Sequence, residues 1–389
     1  MTETPPATPT AALLEGLRHR QAEMIDCLET LVNHESPSSE PALLSTALDT
    51  VDSMLARLVG GGGRRIETGG ATHLLWETGR PRALILCHVD TVWPQGTLGR
   101  WRFRVDGGRA TGPGVVDMKA GIVQALFALS TLGAQQGVRL LVTTDEEVGS
   151  PTSRGLIEES AAGLEAALVL EAACEGALKV ARKGTAQYTV RIVGRACHAS
   201  EPALGANAAL EMAGQMLDVA GLADPEMGTT ATPTVASAGT TANTVPSHAK
   251  FLVDSRAVSL AELERVGKAI GALRPHLDGT EITVAGGVNR APMSREISRG
   301  LFARAQALAA TLGLPPLQGV LAAGGSDGQF TAAIGTPTLD GLGAVGANAH
   351  AEGEWVEVAR MPERAALLAA LLLDILTRTS ARCRGKSRG

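Results

Sequence analysis

The chain has 389 residues, 44 % hydrophobic and 19 % charged, which supplies a buried core and excludes a disordered protein away from the ends. That length is large for one core and calls for two domains, or one domain carrying a large insertion. Aromatic residues make up only 3 %, against 46 glycines, and the net charge is −5, so neither a stacking platform for single-stranded nucleic acid nor a polyanion partner fits.

In chain order, residues 1–11 are rich in Thr, Pro and Ala and read as a frayed end, as does the basic tail 382–389. Residues 13–32 carry apolar side chains at helical spacing, Pro37 breaks the chain, and 42–58 restart a helix. Four glycines at 60–63 turn the chain. Residues 83–87 are wholly apolar, as a central strand buried on both faces requires. A helix is predicted over 120–132. A strand over 139–143 runs straight into Asp145-Glu146-Glu147, and one over 167–170 ends on Glu171. Open α/β sheets place their active sites just past the carboxyl ends of such strands.

From about Arg182 the pattern changes. Predicted elements at 188–193, 207–220, 234–236, 249–254, 260–273 and 281–285 follow the order βαββαβ, that of a ferredoxin-like split βαβ sandwich. After Asn289 a helix over 297–312, a strand over 336–340 and a final helix from Pro362 restore the first pattern. The simplest account is one α/β domain, residues 1–181 and 289–389, interrupted by an α+β domain over 182–288. The apolar run 365–376 is too short to span a bilayer and fits a buried helix. No secretory signal is visible at the N-terminus. The five cysteines, Cys27, Cys87, Cys174, Cys197 and Cys383, form an odd set without CxxC spacing, which fits a reducing cytoplasm.

Five places share one feature: an acid or a histidine follows a buried strand or sits in a Gly-rich loop. They are His88-Val89-Asp90, Asp117, Glu146-Glu147, Glu171 and His350. Zinc takes imidazole nitrogen and carboxylate oxygen, and a pair of zincs needs a bridging carboxylate with terminal ligands on each side. One Asp, two Glu and two His supply such a set. Asp90, two residues beyond His88, either orients its ring through the second nitrogen or caps the helix that follows. Adjacent carboxylates at Glu146-Glu147 point in different directions, so one can bind metal while the other handles protons. Each fragment alone is also what a solvated turn or a structural histidine looks like.

The strings LILCHVDTVWPQGT, TGPGVVDMKAGI, LVTTDEEVGS, LVLEAA, GRACHASEPALGANA, NTVPSHAKFLVDSRA and GGSDGQF…GTPTLDGLGAVGANAH occur in this order. Together they resemble the dizinc exopeptidase family of glutamate carboxypeptidases, aminoacylases and succinyl-diaminopimelate desuccinylases. The PTLDGLG run makes the bacterial glutamate carboxypeptidase branch the most similar. The resemblance runs from the first helix to the last. It implies an α/β zinc-exopeptidase-like catalytic domain with an inserted ferredoxin-like domain acting as lid and dimerisation domain in a homodimer. Two zinc ions are implied, and cobalt or manganese would suit the same ligands. Asp117 would bridge them, with His88 and Glu171 on one side and Glu147 and His350 on the other. Glu146 would be the general base. His198 would steady the oxyanion, reaching into the partner subunit's site. Arg256 and Asn243 would hold the substrate carboxylate, together with backbone N–H groups of Gly324, Gly325 and Ser326.

Alternatives stand beside several of these roles. Arg256 suits a salt bridge as well as a carboxylate clamp, Asn243 before Val245-Pro246 suits a turn, and His198 suits a packed histidine. Cys87 and Cys197 flank site histidines but read as small core residues. Trp93 and Trp101 either wall the pocket or pack. His19, His34, His73, His248 and His276 match no ligand position. Departures from the family pattern are Ala120, Ala172-Ala173 after Glu171, and Asn348-Ala349 before His350; none removes a ligand. The implied activity is hydrolysis of an amide beside a free carboxylate, in a peptide or an N-acyl amino acid. A dedicated deacylase of one biosynthetic pathway competes with it. A non-catalytic ligand-binding relative would lack the base or a ligand, and neither is missing.

Overall fold

A computed structural model describes residues 9–133 and 135–378; the N-terminal residues 1–8 and the basic tail with Cys383 lie outside the described residues. The chain divides into two compact units. One holds the described residues up to Ala181, Arg295–Leu321 and those from Ser326 on; the other holds Arg182–Ser294 and Ala322–Gly325.

At the centre of the first unit lies a six-stranded sheet. Its order is Arg64–Thr68, Ala71–Glu77, Val138–Thr143, Ala83–His88, Ala166–Val169, Thr338–Leu339. Ala83–His88 runs parallel to both neighbours, and all its side chains are buried. Ile85 and Cys87 face one apolar layer, Leu84 and Leu86 the other. That double burial is why the strand has no polar alternation to read. The helix Ala120–Ser130 is apolar around most of its surface because it is enclosed, packing against the final helix Met361–Thr377. Each fully buried Leu or Val in this layer contributes about 1.5–3 kcal/mol. Arg154–Ala161 and Gly328–Ala333 cover the opposite face through Ile157 and Phe330.

Several elements differ from their sequence expectation. The predicted helix 13–32 is two helices, Pro9–His19 and Gln21–Val32, broken at Arg20. Arg20 leaves helical geometry there, and its guanidinium lies over Phe127 and bonds Glu23 and Ser130. Residues 9–11 form the first helical turn, where Pro9 is tolerated because its missing N–H has no partner to lose. The strand expected over 336–340 shortens to Thr338–Leu339, since Pro337 has no N–H to donate. A second small sheet, in the order Gly346–Ala347, Trp355–Glu357, Arg109–Thr111, Arg104–Asp106, was not evident from residue pattern. Its strands are two or three residues long and mostly exposed or polar.

The second unit is a four-stranded sheet in the order Thr230–Ala238, His248–Ala257, Gly184–Val193, Glu281–Arg290, every pairing antiparallel. With the helices Ala208–Ala220 and Leu260–Gly271 it gives the βαββαβ order of a ferredoxin-like sandwich. Ala186, Tyr188, Val190 and Ile192 alternate into its core. Asn207 caps the first helix by accepting from the Ala209 and Leu210 N–H groups, and Ser259 caps the second through Glu262 N–H. Among the described residues no helix is long and apolar enough to cross a membrane.

Candidate metal centre

Three adjacent parallel strands end at one edge of the six-stranded sheet, and each delivers a candidate ligand. His88 is the last residue of Ala83–His88. Glu146 and Glu147 form a short turn just beyond Val138–Thr143, and Glu171 follows Ala166–Val169. Asp117 arrives on the loop before the buried helix Ala120–Ser130. Gly114 opens that loop at φ 72, and a Cβ there would stand 2.5 Å from Thr91 Cγ2, so the tight approach requires glycine. His350 sits on a turn in which both it and Asn348 have φ 64.

These residues form two three-donor groups that share Asp117. His88, Asp117 and Glu171 make one, and Asp117, Glu147 and His350 the other, with donor atoms in each within 4.8 Å of one another. His88 Nε2 lies 3.3 Å from Asp117 Oδ1 and 3.5 Å from Glu171 Oε1. His350 Nε2 lies 3.2 Å from Asp117 Oδ2 and 3.1 Å from Glu147 Oε2. His88 Nε2, Asp117 Oδ1 and Glu147 Oε1 are buried without a hydrogen-bond partner. Orphaned donors aimed at one another in this way fit a pair of divalent cations, and the nitrogen and oxygen set suits zinc, cobalt or manganese. Glu146 belongs to neither group.

Electrostatics follow from the crowding of acids. Burial by itself lowers the His88 pKa, but the Asp117, Asp90 and Glu171 carboxylates outweigh it and hold the ring well above the usual imidazole value. Asp117 and Glu147 raise His350 to about 10. Burial works to raise the Asp117 carboxyl, yet the two histidines bring it well below the usual range. Glu147 is raised, chiefly by burial.

Asp90 makes more contacts than an orienting role requires. Its backbone carbonyl lies 3.1 Å from His88 Nδ1 and its carboxylate 3.4 Å away. The same carboxylate accepts the N–H groups of Glu146 and Glu147 at 3.2 and 3.1 Å, and Ser38 Oγ–H at 2.7 Å. It thus joins the His88 strand to the acidic turn, rather than capping a helix that follows it in sequence.

Two contributors were missed in the sequence. Lys179 Nζ lies 3.6 Å from Glu171 Oε2, on a strand, Leu178–Arg182, that residue pattern did not reveal. Glu354, fully buried, accepts from Trp93 Nε1–H and from the backbone N–H groups of Gly114, Val116 and Asp117. Burial raises its carboxyl to about 7 against the pull of those N–H groups. Its only signal was an acid four residues after His350. Trp93 therefore serves Glu354 and packs edge-on against Trp101, with centroids 4.9 Å apart.

The remaining candidates are placed as follows. Ser326 gives its N–H to Gln329 Oε1, so that N–H is committed within the fold and not offered to a ligand. The Gly324 and Gly325 carbonyls accept from Arg182. Arg256 forks onto Asp254 at 2.9 and 3.3 Å and donates to the Ala323 carbonyl. Asn243 lies in an exposed turn, where its carbonyl accepts Ala199 N–H. His198 is exposed, and its Nδ1 accepts the Ser200 N–H. Cys87 is buried, whereas Cys197 is only half-buried and not a core residue. Among the described residues no cysteine joins a metal-donor group.

Residues 84–374 match the peptidase family M20/M25/M40. The chain belongs to that family. Carboxypeptidase G2 from Pseudomonas sp. (strain RS-16) is 28 % identical over 386 residues, 93 % of this chain and 92 % of the relative. A succinyl-diaminopimelate desuccinylase from Aromatoleum aromaticum is 27 % identical over 79 % of this chain and 86 % of its own length. Among solved structures, the M20 family metallo-carboxypeptidase Sso-CP2 from Sulfolobus solfataricus shares the fold. Its TM-score is 0.72 at 17 % identity, covering 91 % of this chain and 99 % of that one. Human carnosine dipeptidase 1 also shares it, with a TM-score of 0.70 at 15 % identity, covering 94 % and 99 %. As a member of the M20 family, the protein is a hydrolase of the metallopeptidase and amidohydrolase class, whose enzymes are typically dinuclear and metal-dependent.

Proposed function

We propose that the protein hydrolyses the amide bond of a peptide or N-acyl amino acid next to a free carboxylate, in the manner of a glutamate carboxypeptidase. The observation that carries this reading is the pair of three-donor groups sharing Asp117, with a second carboxylate, Glu146, beside the ligand Glu147 but outside both groups. Zinc is the cation proposed, with His88, Asp117 and Glu171 holding one ion and Asp117, Glu147 and His350 the other. When bound, such a pair supplies Lewis acidity, polarising the amide carbonyl and making water a better nucleophile at neutral pH. Glu146 takes a proton from the attacking water as the C–O bond forms and returns it to nitrogen as the C–N bond breaks. Asp90 holds His88 and the acidic turn in register for this work.

His198 is the proposed oxyanion donor. Its Nδ1 is engaged by the Ser200 N–H and lies 2.7 Å from Ser200 Oγ, which leaves Nε2 as the nitrogen proposed to donate. Arg256 and Asn243 are proposed for the substrate carboxylate; Arg256 is already oriented by its fork to Asp254. With Ser326 N–H committed to Gln329, that loop's share of the reading falls to Gly324 and Gly325. A homodimer is proposed through the second unit, where Leu210 and Leu217 are 65 and 75 % exposed on one helix and Val235 is 57 % exposed on the edge strand. Light scattering should read the mass of two chains, and a monomer at micromolar concentration would discard that part.

A dedicated deacylase is the second reading, favoured by the desuccinylase relative that aligns over most of its length. A panel of Xaa–Glu dipeptides and N-acyl amino acids, assayed with zinc and with a chelator, separates the two. Chelator-sensitive release of an amino acid from the dipeptides supports the carboxypeptidase reading. Turnover confined to one acylated amine replaces it with the second, and no turnover by protein carrying two metals rejects both.

A further inference from the structure

Glu354 is completely buried, although it lies four residues from His350, whose side chain is half exposed. The small sheet explains how it gets there. Trp355 pairs with Thr111 and Val356 with Ala110, antiparallel, so the residue before Trp355 lies beside the chain that leaves Thr111 for Asp117. The carboxylate then binds that chain directly. One oxygen accepts from the Val116 and Asp117 N–H groups at 2.7 and 3.0 Å. The other accepts from Gly114 N–H and Trp93 Nε1–H, both at 3.1 Å. All four partners are donors and nothing else. Only a carboxylate meets them, since a glutamine amide would turn its own N–H bonds toward two of them.

The turn that carries Glu354 is itself tied internally. Ala351 N–H donates to the Asn348 carbonyl at 3.0 Å, and Glu354 N–H to the Ala351 carbonyl at 3.1 Å. A short, bonded stretch therefore links His350, which faces Asp117 and Glu147, to the carboxylate gripping the backbone of Asp117. His88 needs no such tether, because it ends a strand paired on both edges.

We infer that Glu354 is a positioning residue that clasps the His350 turn to the Asp117 loop and so sets the cation affinity of the Asp117–Glu147–His350 group in particular. The inference rests on the two-metal reading above. Loss of an outer carboxylate of this kind lowers metal affinity about 10–100-fold. A residue that merely filled space would change stability without distinguishing the two groups.

Cobalt(II) is the probe, titrated into chelator-stripped full-length protein and followed by visible absorption and calorimetry. His88→Ala and His350→Ala identify which binding event belongs to which group. In Glu354→Gln, the event missing from His350→Ala should weaken about 10–100-fold, while the other moves at most a few-fold. Equal weakening of both events, or no change in either, overturns the inference. If Glu354→Gln fails to fold, as melting of the stripped protein will show, Trp93→Phe decides instead. It removes one of the four donors and should weaken the same event a few-fold; an unmoved event there counts against the clasp. Wild-type protein that takes up fewer than two cobalt ions would defeat the two-metal reading itself, a different failure from an unaltered variant.

Discussion

The two donor groups of the candidate metal centre are built in different ways. His88 ends a strand whose six side chains are all buried and which is paired in parallel on both edges. Glu171, its companion, follows the next strand over. His350 stands on a turn, half exposed, with positive φ, and no strand of the six-stranded sheet carries it. A ligand at the end of a central strand inherits its position from the core, where displacement would cost buried contacts. A ligand on a turn inherits nothing and must be tied down by polar contacts, here the grip of Glu354 on residues 114–117. The sheet-built half should therefore respond to core packing, and the turn-built half to single hydrogen bonds.

The largest expected effect separates chemistry from both halves. Glu146 belongs to neither donor group, so Glu146→Gln should lower kcat about 10²–10⁴-fold, the range of a general base, with both cations still bound. Metal analysis beside steady-state kinetics checks it. A variant that loses a cation along with its activity would mean that Glu146 helps hold metal and that the division is drawn in the wrong place.

A smaller effect is expected at Asp90, which reaches both halves. Its carboxylate lies 3.4 Å from His88 Nδ1 and also accepts the N–H of Glu147, a candidate donor of the other group. Asp90→Asn should weaken both cobalt-binding events about 10–100-fold. This is the opposite pattern to Glu354→Gln, in which one event moves. If Asp90→Asn shifted only the His88 event, the bonds to the acidic turn would be incidental.

How legible these parts were in the sequence follows the same division. The sheet-built half could be read because a strand buried on both faces is a continuous apolar run, and an acid or histidine at its end stands out, as His88 and Glu171 do; Glu147 of the other group was legible for the same reason. Asp117 and His350 were candidates from their Gly-rich loops alone, a weaker signal, since such a loop looks alike with or without a ligand. Glu354 had no signal beyond being an acid four residues after His350. Its role depends on Arg109–Thr111 meeting Trp355–Glu357, a pairing of three-residue strands far apart in the chain, with too little periodicity to detect. Arg256 shows a different loss. Asp254 and Arg256 are two apart on one strand and share a face, so their ion pair follows from strand geometry, but sequence could not say that the fork would be filled.

The last expected effect is a pH dependence that tests whether both halves store protons when no cation is present. In metal-free protein the acids raise His350 to about 10 and hold His88 well above 6.5, so both rings are cationic at neutral pH. They then partly neutralise the carboxylates that a metal would otherwise neutralise. A cation must displace those protons, since it binds neutral imidazole. Apparent affinity should rise by up to about tenfold per pH unit for each proton displaced, until the pH nears the raised pKa. Stability runs the other way. A group whose folded pKa is raised stabilises fully below its unfolded value, near 6.5 for His350, and that contribution is lost as pH climbs through about 10. Chelated protein should thus melt progressively lower between pH 7 and pH 10, while the gap to metal-loaded protein widens. Melting curves with and without chelator at several pH values measure this, and calorimetry in two buffers of different ionisation enthalpy counts the protons released. A constant gap with no proton release would show that the imidazoles are already neutral, and that the acids of the two halves are balanced by some other cation.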